Sequence, residues 1–156
     1  MQMMPLSHRN RQGGFTLVEL LISVGLLAVV TTGTVAALLA CLGLSSTSKN
    51  NHIATTAAIG LAEEIQGASF PDLVTDYDNL NFTVNALTAG SRGIIYVDDT
   101  NPDLLQVTIS VCWRQAGSRI IGEDRDLDGV LDAGEDTNAN GIIDSPVQIV
   151  MQVANR

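Results

Sequence analysis

The sequence predicts an α+β fold, a long N-terminal helix, hydrophobic and then amphipathic, packed against a small antiparallel β-sheet head. Three observations carry this. From Phe15 to Leu44 the only ionisable side chain apart from Cys41 is Glu19. Apolar residues then recur every four positions at Ile53, Ala57, Leu61 and Ile65, one stripe of an amphipathic helix. Further on, Leu105, Val107, Ile109, Val111 and Trp113 alternate with Gln106, Thr108, Ser110 and Cys112, and Val147, Ile149, Met151 and Val153 repeat the period of two.

The elements divide the chain into residues 1–14, a basic leader; 15–44, a membrane or assembly helix; 45–68, its amphipathic continuation; and 69–156, a β-rich head with an acidic insertion at 123–144. At 156 residues there is room for one modest domain. Aromatic residues are few, so the core is thin and calls for outside support. Net charge is −9, and eight acidic residues crowd between Glu123 and Asp144 against one base, Arg125. Such a head repels phosphate, which argues against nucleic acid or anionic lipid as its partner and favours cations. Cys41 and Cys112 have no zinc-like spacing, and two buried, unbridged thiols are expected.

The leader MQMMPLSHRNRQGG is polar and basic, and the 30 residues from Phe15 to Leu44 follow it. As a helix they reach about 45 Å, against roughly 30 Å of hydrocarbon. Basic residues before the run, and none after it until Lys49, place the N-terminus in the cytoplasm and the head outside. A secretory signal peptide needs a shorter apolar run with its cleavage site after it, whereas here the Gly13-Gly14 pair comes before. An uncleaved signal anchor explains the charge and length equally well but not Glu19. A carboxylate there costs about 2.5 kcal/mol or more in lipid unless paired, which marks it as functional.

The string GG-FTLVELL, Gly13 to Leu21, closely resembles the cleavage and methylation motif of type IV pilins and type II secretion pseudopilins. The resemblance implies that a prepilin peptidase cuts after Gly14 and methylates the new amine of Phe15. It also implies that Glu19 helps the subunit enter a filament, where a neighbour's Phe15 amine can meet the buried carboxylate. Implied partners are other pilin subunits, the peptidase, an inner-membrane assembly machinery and the membrane itself. Major pilins usually carry a kinking proline in this helix; none occurs between Phe15 and Phe70, where Thr31-Thr32-Gly33-Thr34 forms a weak patch instead.

Ser45 to Asn51 reads as a loosened join, and Gly67 and Pro71 as stop signals. After Pro71 the pattern turns β, with short strands expected at Asn81–Asn85 and Gly93–Val97 before the two longer ones. The order of parts, with Leu61 to Gln66 and the late VTISVCWR run, loosely resembles PilV-type minor pilins, and type II minor pseudopilins share the plan.

Residues 124–135, DRDLDGVLDAGE, fit every position of a calcium loop: Asp124, Asp126, Asp128, the Val130 carbonyl, Asp132 and Glu135, with Gly129 at the sharp turn. Twelve residues on, Asp136, Asn138, Asn140, Ile142 and Asp144 repeat the pattern, with Gly141 at the turn and Val147 in the terminal acid's place. The flanks are not the helices of an EF-hand; the plan is closer to dockerin-type or thrombospondin-type repeats. An acidic turn without metal is the plain alternative, because Asp, Asn and Gly form turns anyway. Oxygen-only ligands argue for calcium over zinc or copper.

The expected function is therefore structural, not enzymatic: a minor pilin or pseudopilin with a calcium-stabilised head. A membrane-anchored calcium-dependent adhesin that does not polymerise is the second reading. No nucleophile motif is present, and His52 is the single histidine beyond the leader.

Overall fold

The computed structural model of the chain describes residues 14–115 and 117–155. A long helix, α1 (Leu17–Gly67), is followed by a 3-10 turn at Phe70–Asp72 and a short α2 (Leu73–Tyr77). Five strands follow among the described residues: β1 (Leu80–Phe82), β2 (Ser91–Asp98), β3 (Leu104–Arg114), β4 (Ile120–Ile121) and β5 (Gln148–Ala154). All pairings are antiparallel, so the α+β architecture expected from the sequence is the one found. The chain divides into two compact units, with the boundary between Gly43 and Leu44.

In the N-terminal unit, α1 starts where Thr16 caps it, the Glu19 amide donating to Thr16 Oγ1 at 3.2 Å. Its apolar side chains are exposed, from Leu17 at 75 % to Leu42 at 60 %. The threonine patch does not loosen the helix. Thr31, Thr32 and Thr34 hydroxyls donate to the carbonyls of Leu27, Ala28 and Val30 at 2.8–2.9 Å, which satisfies them without water. Cys41 is exposed on this helix, so the expectation of two buried thiols holds only for Cys112.

In the C-terminal unit, the join expected at Ser45–Asn51 is helical throughout. These weak helix formers are held by the head: Asn50 Nδ2 donates to Gln115 Oε1 at 2.8 Å, and Gln115 Nε2 donates to Thr47 Oγ1 at 3.3 Å. The buried stripe is Ala54, Ala58, Ala62 and Ile65, with Ile53, Ala57 and Leu61 at its flank. The stripe thus runs one residue beyond the expected one at its first three positions. Alanines take the centre because a small side chain lets the helix lie close on the sheet.

That sheet is built around β3, which pairs β2 along one edge and both β4 and β5 along the other. Leu105, Val107, Ile109, Val111 and Trp113 all face the helix and are buried, as the alternation predicts. On the opposite face Cys112 is buried as expected, but the polar Thr108 and Ser110 are buried too, which the alternation does not predict. Three features differ from the sequence reading. The segment after Pro71 remains helical to Tyr77, β1 sits at Leu80–Phe82 and not Asn81–Asn85, and β4 is an added strand. In β2, Gly93 lies under the Phe82 ring, where an added Cβ would stand 2.1 Å from Cζ.

Candidate functional site

Two places in the chain carry the residues singled out by sequence. The first is the N-terminal segment. Gly14 and Phe15 are exposed and precede the first helical turn, in which Glu19 sits. The remainder of the leader, including Gly13, lies outside the described residues. Accessible residues before a helix are what a protease requires of its substrate, and α1 is long and apolar enough to cross a membrane.

The second place is the excursion between β4 and β5, which covers the outer face of the sheet. Ile143 is fully buried there against Ile94 and Cys112, with Tyr96, Leu127 and Leu131 around them. Polar ties supplement this small core. The Ile143 amide donates to the Tyr96 hydroxyl at 2.9 Å, Arg92 Nε donates to the Leu127 carbonyl at 3.0 Å, and the Ser145 hydroxyl donates to the Val111 carbonyl. The excursion therefore explains why the polar side of β3 is buried.

Within it, Asp124, Asp126 and Asp128 each bring a carboxylate oxygen to within 4.8 Å of the other two. Asp124 is buried and accepts from the amides of Leu127, Asp128 and Gly129 at 2.6, 3.2 and 3.0 Å. Its carboxyl is pushed above the usual carboxylate range, chiefly by burial and further by the Glu135 charge, against the pull of those amides. Asp132 and Glu135 meet through the backbone: Glu135 Oε2 accepts from the Asp132 amide at 3.1 Å and Oε1 from the Arg125 amide at 2.7 Å.

The second loop copies the first at an offset of twelve. Asp136 accepts from the amides of Asn140 and Gly141 at 3.1 and 2.9 Å, as Asp124 does from Asp128 and Gly129. Asn138 Oδ1 accepts from the Asn140 amide, matching Asp126 and Asp128. Asn140 Oδ1 accepts from the Ile142 amide, matching Asp128 and Val130. Left-handed backbone recurs in step, at Leu127 and Ala139 (φ 66° and 58°) and at Gly129 and Gly141 (φ 83° and 81°).

The loops differ in charge. Asn138 and Asn140 each donate an amide N–H to Asp144 Oδ2, at 2.6 and 2.9 Å, so the second loop answers part of its own negative charge. The first loop has carboxylates at those two positions. Val130 itself is exposed, and Val147, expected in the terminal acid's place, is buried in the main core. The acid that closes the second loop is Glu123: Oε1 accepts from the Thr137 amide and Oε2 from the Asp144 amide, both at 3.0 Å. Counting forward from Asp136 missed it. The available signal was that Glu123 and Glu135 are twelve apart and each stands directly before an aspartate.

Residues 9–35 match the family model of the prokaryotic N-terminal methylation motif. Searches of curated proteins and of solved structures found no match. The N-terminus is thus a type IV prepilin-like signal, and the long helix followed by a five-stranded antiparallel sheet is a pilin-like architecture. The motif implies processing by a peptidase and association with other pilin subunits in general, and the apolar helix is consistent with membrane anchoring.

Proposed function

We propose that this chain is a minor pilin of a type IV pilus or a minor pseudopilin of a type II secretion filament. It is inserted in the inner membrane with its head outside, cut after Gly14, N-methylated on Phe15 and assembled through α1. The observation that carries the reading is the Gly14-Phe15 junction with Glu19 one turn into an apolar helix. In a filament the helices leave lipid and bury Glu19, which is tolerable only if a cation such as a neighbour's Phe15 amine meets it.

Glu19→Ala should leave membrane insertion intact and reduce recovery in sheared filaments. Comparing the two fractions checks it. Equal recovery of mutant and wild type would remove the role of Glu19, and wild type that never reaches filaments would favour a non-polymerising anchored adhesin.

The proposal extends to a calcium-stabilised head. Asp124, Asp126, Asp128 and Glu135 supply oxygen ligands for the first ion, and Asp136, Asn138, Asn140 and Glu123 for the second, with Asp132 and Asp144 at the ninth positions of the two loops. Converging carboxylates with one base among them suit a hard divalent cation, and the first loop should bind more tightly because of its extra carboxylates.

A further inference from the structure

We infer that the two acidic loops exchange their closing glutamates, so that Glu123 is the positioning residue of the second loop and Glu135 that of the first. Written as repeats, residues 123–134 and 135–146 each begin Glu-Asp and carry Gly and Asp at equivalent places. Each glutamate makes the same three bonds, and makes them to the loop begun by the other's aspartate. Glu135 holds the amides of Arg125 and Asp132, and its own amide donates to the Asp132 carbonyl at 3.1 Å. Glu123 holds the equivalent amides of Thr137 and Asp144, and its own amide donates to the Asp144 carbonyl at 2.8 Å.

The pairing has a structural consequence. Glu123 stands just after β4, and Asp144 stands just before the Pro146 that leads into β5. Their contact therefore closes the whole excursion at its base, while Glu135 in the middle closes the first loop. Neither repeat is complete alone. The contacts run from carboxylate to backbone amide, charge-assisted and directional, so they fix each loop's second and ninth residues together. They require no bound ion, and the inference stands apart from the cation proposal.

The test is residue-resolved amide hydrogen exchange on the full chain in detergent, in calcium and in chelator. Glutamine keeps the side-chain length but replaces one acceptor oxygen with an N–H group that opposes the backbone donor. Glu123→Gln should speed exchange at Thr137 and Asp144 by about tenfold more than at Arg125 and Asp132, and Glu135→Gln should do the reverse. If buried Glu135→Gln fails to fold, half-buried Glu123→Gln carries the comparison alone. The inference is overturned if Glu123→Gln acts first on Arg125 and Asp132, if both loops loosen alike, or if wild type protects none of these amides in either buffer. The same crossed pattern in both buffers supports the pairing even where calcium has no effect.

Discussion

Gly129 is constrained from two directions. Its φ of 83° is a conformation that side chains with a Cβ rarely adopt, and an added Cβ would stand 2.1 Å from Asn81 Oδ1 on β1. Gly129→Ala should therefore destabilise the head by about 1–3 kcal/mol, through strain and through the displaced Asn81. Denaturant unfolding checks it, and no change would mean that the loop lifts freely from β1. Cys112 is enclosed as tightly, because a Cβ on Gly122 would come 2.2 Å from its sulfur. Burial, the largest cause, pushes the thiol up to about 11 from 9.0. The folded chain thus holds this proton more tightly than the unfolded chain, and the associated stability is present below pH 9 and lost as pH rises through 11. Little of the native thiol is ionised at neutral pH, so native Cys112 should resist alkylation and react once denatured. Mass spectrometry of the labelled chain reads this directly, and rapid native labelling would show that the double loop opens.

At the scale of elements, the double loop is the cover of the outer sheet face, and the closing strand β5 follows from it. Without a cation, several carboxylates of the first loop repel one another, and Leu127, Leu131 and Ile143 anchor the excursion by apolar contact. A bound cation reverses that repulsion. At a hundredfold excess over its dissociation constant it adds about 2.7 kcal/mol, a large share of a small domain's stability. Calcium should raise the melting temperature of the chain over that in chelator, and Asp126→Ala with Asp128→Ala should shrink the difference to the part that the second loop supplies. Both residues are exposed, so the pair should cost little in chelator. Identical wild-type melts in the two conditions would leave an acidic turn and no cation site.

The same elements show what a sequence can reveal. The alternation of β3 and β5 and the end of α1 at Gly67 were readable, since a half-buried strand and a glycine stop act locally. The doubled loop was readable as far as Asp144. What was hidden depends on tertiary partners: Thr108 and Ser110 look solvated until a later segment covers them, and Glu123 looks idle until the second loop folds back on it. Two-residue β4 and the turn of helix at Leu73–Tyr77 are too short for any period to register.

For the whole molecule, the two ends of the chain obey different solvents. The helix to Leu44 is apolar with one acid, whereas the head is strongly acidic and bound by few aromatic contacts. Removal of the leader with Arg9 and Arg11 would leave 6 basic against 17 acidic residues and a net charge of −11. On the proposed reading, cleavage after Gly14 would also create an amine on Phe15 near the depth of Glu19, which would link processing to assembly. The central claim is therefore that this N-terminus is a prepilin signal that is actually used. The most direct test is intact-mass and N-terminal peptide mass spectrometry of the protein recovered from membranes of a cell that carries prepilin peptidase. The account predicts a chain beginning at Phe15 with one methyl group on its amine; an N-terminus still at Met1, or a cut beyond Leu44, would contradict it.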